Sequence, residues 1–344
     1  MTDKPDIAVF GAGSWGTALA IQLARGGRAT WLWGRAEDEP ERLAAERRNQ
    51  RYLPDAEFPA ALQIEADFAT ALSCADLLLV VPSHAFRQVL EQVREGFRPD
   101  HRVAWATKGL EQETGLLPHQ VARDVLGDQV PLAVLSGPTF AREVGAGLPT
   151  AMTVAATDPA FGAAMAERIS SPEFRTYTSQ DLAGVEVGGA VKNVLAIAAG
   201  LSDGLGYGAN TRIALISRGL AEMCRFGVAL GAQVETFMGL SGMGDLVLTC
   251  TDNQSRNRRM GLGLAAGHKV DDVAAQIGQV VEGVYAAKAV HDVATRLGVE
   301  MPICEKVYRI LYEELPVSDA VIQLLTRELR EEADSAWTPA VPEQ

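Results

Sequence analysis

Gly11-Ala12-Gly13-Ser14-Trp15-Gly16 stands directly after the apolar run Ile7-Ala8-Val9-Phe10 and opens a helical stretch, Thr17 to Arg25. Glycines at that spacing permit a tight turn, close approach of another group to the backbone, and close packing of helix on strand. β-rich runs recur at 29–33, 76–81, 102–106, 132–135, 151–155 and 174–177, with helical stretches between them. Strands alternating with helices predict βαβ units in a parallel sheet covered on both faces. After Asp181 the pattern becomes helical almost throughout, broken by glycine-rich joints at 202–208, 239–244 and 261–267.

The predicted fold class is therefore α/β: an N-terminal Rossmann-like doubly wound sheet over residues 1–181, followed by an all-α C-terminal domain over 182–331. Residues 332–344 lose periodicity and read as a flexible tail. A length of 344 residues suits two cores, and 47% hydrophobic with 22% charged residues excludes disorder. A net charge of -13 argues against nucleic acid and anionic lipid as partners. The apolar stretch 182–201 carries Glu186, Lys192 and Asn193, which predicts a buried core helix and no membrane insertion. The N-terminus shows no export pattern, and the four cysteines are scattered, so a reducing, cytoplasmic setting is expected. Neither the cysteines nor the five histidines have metal-ligand spacing, so no metal is expected. His84, at a strand end, reads as a structural histidine.

The glycine turn predicts dinucleotide binding, because free N–H groups at a helix N-terminus meet a pyrophosphate. Arg35 ends the second strand in Trp33-Gly34-Arg35, where a guanidinium suits an adenosine 2′-phosphate. NADP(H) is favoured on that ground, with NAD(H) left open by Glu37 and Asp38. Lys108 and Gly137/Thr139 follow two later strands, at the edge where open α/β sheets bind ligands.

Lys192 lies in an otherwise apolar helix, and burying a lysine is costly without a partner or a purpose. Desolvation would bring it toward an acid/base role, with Gly188 and Gly189 leaving room for a substrate; an internal ion pair with Glu186 or Asp245 is the alternative. Ser255-Arg256-Asn257-Arg258-Arg259 gathers three guanidinium groups before a helix expected from Met260, a pattern that suits a phosphate. Asp245 follows the flexible Gly242-Met243-Gly244 and could approach a lysine.

These segments together resemble the bacterial NAD(P)-dependent glycerol-3-phosphate dehydrogenases from about residue 6 to about 325. The matching stretches are Gly11-Ala-Gly-Ser-Trp-Gly-Thr-Ala-Leu-Ala20, Trp105-Ala-Thr-Lys-Gly-Leu110, Ser136-Gly-Pro-Thr-Phe-Ala141, Gly189-Ala-Val-Lys-Asn-Val194, Gly244-Asp-Leu-Val-Leu-Thr-Cys250, Ser255-Arg-Asn-Arg-Arg259 and Gly278-Gln-Val-Val-Glu-Gly283. The resemblance implies reversible reduction of dihydroxyacetone phosphate to sn-glycerol 3-phosphate by hydride transfer from NAD(P)H, feeding glycerophospholipid synthesis. It implies Lys192 as catalytic acid/base and a substrate site of Lys108, Gly137, Thr139, Lys192, Asp245, Ser255, Arg256 and Asn257. The cofactor contacts it implies, with the glycine turn at Gly11 and Gly13, are Ser14, Trp15, Arg35, Tyr52, Lys108, Ala141, Arg256, Val280 and Glu282. A homodimer is allowed. Another β-hydroxyacid-type dehydrogenase and a non-catalytic NADPH-binding sensor are the competing readings, and turnover of dihydroxyacetone phosphate separates them.

Overall fold

The computed structural model describes residues 5–328, so the tail expected at 332–344 lies outside the described residues. The chain forms two compact units. The first runs to Lys108 and resumes at Pro118–Leu182; the second comprises Gly109–Leu117 and the chain from Ala183 onward. The excursion 109–117 breaks the single boundary expected near residue 181. Its cause is local: Leu110 and Leu117 are buried in the helical core, and Arg296 Nη1 donates to Thr114 O at 3.2 Å.

The first unit is Rossmann-like. Its strands are β1 (Ile7–Phe10), β2 (Thr30–Trp33), β3 (Arg48–Asn49), β4 (Leu53–Glu57), β5 (Leu62–Glu65), β6 (Asp76–Leu79), β7 (Arg102–Trp105), β8 (Leu132–Ser136), β9 (Thr150–Ala156) and β10 (Phe174–Ser179). Eight of them form one sheet in the order β10-β9-β8-β7-β6-β1-β2-β5, while β3 and β4 make a separate hairpin. β1 and β6 are buried along their whole length, as strands covered by helices on both faces must be. β1, β2, β5, β6, β7 and β8 run parallel, so their carboxyl ends share one edge.

Two expectations need correction. The sheet is not wholly parallel, because β8 and β9 pair antiparallel. The helix between them, Ala141–Ala146, has six residues and advances only about 9 Å, whereas retracing the five-residue β8 takes about 16 Å. The chain therefore turns back instead of crossing over. β5 and the β3–β4 hairpin were not foreseen either. β5 is a four-residue edge strand, Leu-Gln-Ile-Glu, too short for its alternation to stand out.

The second unit is all-helical about the helix Leu182–Gly204. That helix is long and apolar enough to cross a membrane, and 94% of its most apolar window is buried inside the protein. A helix apolar all round has no solvent face to offer, which is why it sits centrally. Glycines bring its neighbours to backbone contact. A Cβ on Gly200 would stand 2.1 Å from Arg258 O, and one on Gly261 would stand 2.1 Å from Ile197 O. Gly188 is likewise filled, by Ser241 O at 2.4 Å from a would-be Cβ. The room expected there for a substrate is occupied by main chain.

Candidate active site

In the Rossmann-like unit the sequence-selected residues gather at the carboxyl edge of the sheet. Gly11 follows β1 with φ +122°, and a Cβ there would meet Val80 O at 2.4 Å. Gly16 seats the following helix, since its Cβ would meet Gly11 O at 1.9 Å. Gly13, by contrast, has nothing within 4 Å of a would-be Cβ, and the helix Ser14–Arg25 that it precedes has no side-chain cap. Uncapped N–H groups facing open space are what a pyrophosphate needs. The buried indole Nε1 of Trp15 has no hydrogen-bond partner among the described residues, which leaves an unsatisfied donor at this turn.

Asn49, which the sequence reading missed, steadies the turn from outside it. Its Nδ2 donates to Ala12 O at 2.9 Å and to Thr17 Oγ1 at 2.9 Å, and its Oδ1 accepts from Tyr52 N at 3.1 Å. Nothing in the polar run around Asn49 marks it out, because its partners come from a segment 37 residues away. Tyr52 is thereby tied to the glycine turn.

Arg35 begins the turn after β2. Its side chain is 63% exposed and pairs with Glu37 at 3.2 Å. Asp38 Oδ2 accepts from Arg35 N at 3.0 Å, so that carboxylate is engaged in closing the turn. Lys108 follows β7, behind Thr107, whose Oγ1 donates to Val81 O at 2.7 Å. Gly137 follows β8 and packs so closely on β9 that a Cβ would meet Met152 Cα at 2.8 Å. Thr139 Oγ1 donates to Gly137 O at 3.2 Å, and Ala141 opens the short helix beyond. The neighbouring Ser136 Oγ is buried without a partner among the described residues.

In the helical unit Lys192 is 6% exposed, and its Nζ donates to Asp245 Oδ1 at 2.5 Å and to Thr249 Oγ1 at 3.0 Å. One of the two expected partners, Asp245, forms an ion pair with it. Burial disfavours the ammonium and the adjacent carboxylate favours it, so the two effects oppose each other at Nζ. Thr249 Oγ1 also lies 2.6 Å from Asp245 O, one helical turn back. Its spacing of four from Asp245 was a usable signal that the sequence reading passed over.

The arginine cluster divides by role. The helix starts at Arg256, not near Met260, because Ser255 caps it: Ser255 Oγ accepts from Arg258 N at 3.2 Å. Arg258 is buried and structural, with Nη2 2.5 Å from Asp203 Oδ2 and Nε donating to Cys250 O at 3.1 Å. Arg256 donates to Val280 O at 2.7 Å; burial pulls its guanidinium below the ordinary value while Glu282 opposes that. Asn257 bridges Asn193 Oδ1 and Gly283 N, each at 2.8 Å, linking the Lys192 helix to the segment of Val280 and Glu282. Asn193, noted in the sequence only as a polar residue of the apolar helix, shares the setting that singled out Lys192. Arg259 is exposed.

Among the described residues no group of three His, Cys, Asp or Glu is placed to hold a metal ion. The four cysteines are all buried, and burial pushes the Cys250 thiol up to about 12. That argues against a reactive thiolate beside Lys192.

Similarity to known proteins covers both units. Residues 6–162 match the family described as NAD-dependent glycerol-3-phosphate dehydrogenase N-terminus, and residues 181–322 match its C-terminus. The chain is 57% identical over 334 residues to a glycerol-3-phosphate dehydrogenase (NAD(P)+) of Aeromonas salmonicida, covering 96% of this chain and 100% of that relative. It is 55% identical over 338 residues to the protein of the same name from Shewanella halifaxensis, covering 98% and 100%. A crystal structure of glycerol-3-phosphate dehydrogenase from Coxiella burnetii superposes with a TM-score of 0.91 at 47% identity, covering 94% of this chain and 99% of that one.

Proposed function

The chain belongs to the NAD-dependent glycerol-3-phosphate dehydrogenase family, and we propose that it reversibly reduces dihydroxyacetone phosphate to sn-glycerol 3-phosphate with NAD(P)H. The observation that carries this reading is the buried Lys192, held by Asp245 and Thr249. A nicotinamide dinucleotide supplies the hydride when bound at the glycine turn, where Gly13 and the uncapped helix N-terminus fit its pyrophosphate.

Lys192 passes an ammonium proton to the ketone oxygen as negative charge develops there, which spares the substrate a full alkoxide. Asp245 and Thr249 fix the direction of Nζ, and the Asp245 charge supports the ammonium between turnovers. In the oxidative direction neutral Lys192 takes the hydroxyl proton. Arg256, with Ser255 and Asn257 at the same helix start, holds the substrate phosphate and converts that remote binding energy into alignment of the carbonyl. Lys108, Gly137 and Thr139 serve the substrate from the sheet edge. Ser14, Trp15, Arg35, Tyr52, Ala141, Val280 and Glu282 serve the cofactor.

NADP(H) is the preferred coenzyme in this reading, because Asp38 Oδ2 is engaged at Arg35 N and lies 3.5 Å from Arg35 Nε, while the Arg35 side chain is still 63% exposed. The product feeds glycerophospholipid synthesis. The enzyme is cytoplasmic and not membrane-inserted, consistent with the burial of the helix Leu182–Gly204. A homodimer is supported by exposed Leu205, Tyr207 and Ile213, and sedimentation of the purified chain tests it. Oxidation of NADPH on addition of dihydroxyacetone phosphate is the deciding experiment. Binding of coenzyme without turnover of that ketone would reject the assignment.

A further inference from the structure

Two arginines of the Rossmann-like unit meet the same residue. Arg35 Nη1 lies 3.2 Å from Glu37 Oε2, and Arg51 Nη1 donates to Glu37 O at 3.4 Å. Both guanidinium groups therefore stand within reach of one residue, just past the carboxyl end of β2. Their neighbours are otherwise engaged. Arg42 pairs with Glu39 and Glu46, Arg47 donates to the carbonyls of Pro59 and Leu62, and Arg48 pairs with Glu57.

Arg51 differs from these three. It is exposed, its one hydrogen bond among the described residues is long, and its guanidinium lies 4.9 Å from the Tyr52 ring centroid. Stacking on a ring orients a guanidinium without consuming its N–H groups. Tyr52 is in turn bonded through its N–H to Asn49, which also holds Ala12 O of the glycine turn. Arg51 is thus positioned two steps from the turn that fits the pyrophosphate. With Asp38, Glu39, Arg42, Glu46 and Tyr52 it lines a shallow, open hollow of mixed charge.

We propose that Arg51 is a second specificity-determining residue that closes with Arg35 on the 2′-phosphate of NADP(H), displacing the Glu37 carboxylate. The inference rests on the coenzyme reading given above. A phosphate dianion takes two guanidinium forks better than one, and Glu37, being exposed, can leave Arg35 for water at little cost.

Calorimetric titration of the full chain with 2′,5′-ADP and with 5′-AMP, which differ only in the 2′-phosphate, separates that group from hydride chemistry. Wild-type protein binds 2′,5′-ADP more tightly. Arg51→Gln lowers that affinity about fivefold and leaves 5′-AMP binding within about twofold, while Glu37→Gln raises 2′,5′-ADP affinity about twofold. Arg51→Gln leaving both probes unchanged, or weakening both equally, overturns the role of Arg51 while the coenzyme reading stands. Wild-type protein that binds neither probe, or prefers 5′-AMP, overturns both.

Discussion

Lys192 Nζ stands 2.5 Å from Asp245 Oδ1 across 53 residues of sequence, with the two residues 6% and 1% exposed. A buried pair is weak ground for stability, since hydrophobic groups of the same shape often do as well. The proposed acid/base role gives the pair a use. Lys192→Ala is expected to lower kcat by about a thousandfold while NADPH affinity changes by less than about twofold. Steady-state kinetics beside equilibrium binding checks this, and retention of more than about a tenth of kcat would remove Lys192 from its role.

Asn49 supports the glycine turn by two hydrogen bonds, to Ala12 O and Thr17 Oγ1. Asn49→Ala should lower unfolding stability by about 1–3 kcal/mol and weaken dinucleotide binding, with kcat at saturating coenzyme largely kept. Urea unfolding with and without NADPH measures both effects.

Asp203 receives Arg258 at 2.5 Å and Arg212 at 2.8 Å, and so anchors the helix that carries Arg256. Asp203→Ala leaves the buried Arg258 guanidinium without its counter-charge. The expected loss is about 3–5 kcal/mol of stability, read by denaturant unfolding. A loss under about 1 kcal/mol would show that the anchor is dispensable.

Glu222 is 1% exposed and accepts from Ile303 N at 2.7 Å and Cys304 N at 3.1 Å. Burial pushes its carboxyl up to about 7, against the opposing pull of those two N–H groups. The folded chain then holds this proton at pH values where the unfolded chain has released it. The contribution of Glu222 to stability is full below about 4.5 and declines as pH rises to about 7. Urea unfolding at about pH 5 and about pH 8 should show the decline, and Glu222→Gln should flatten it.

Gly200→Ala places a methyl 2.1 Å from Arg258 O, whereas Gly26→Ala meets nothing within 4 Å at an ordinary φ of -71°. The first is expected to cost about 1–3 kcal/mol and the second less than about 0.5, as thermal unfolding of the two variants will show.

The strand–helix alternation and the apolar helix around Lys192 were legible because each repeats a period over many residues. The reversal at β9 was not, since it depends on how far a six-residue helix can carry the chain. The candidate site stood out in the sequence where a residue violated its surroundings, as Lys192 does, or where glycines punctuated a strand end. It was illegible where a polar residue acts through a distant partner. Asn49 and Asp203 look like ordinary surface residues in sequence and are buried or nearly so. Arg258 shows the converse: its charge counted toward a ligand cluster, yet its guanidinium is committed to Asp203 and a carbonyl.

The direct seating of Gly200 against Arg258 O and of Gly261 against Ile197 O has a bearing on how this enzyme can be altered. Where main chain touches main chain, the span from the Lys192 helix to the Arg256 helix is a fixed ruler, indifferent to trimming or enlarging side chains elsewhere. Changing the distance between Lys192 and Arg256 would therefore take the insertion of whole residues, because this spacing has no adjustable part.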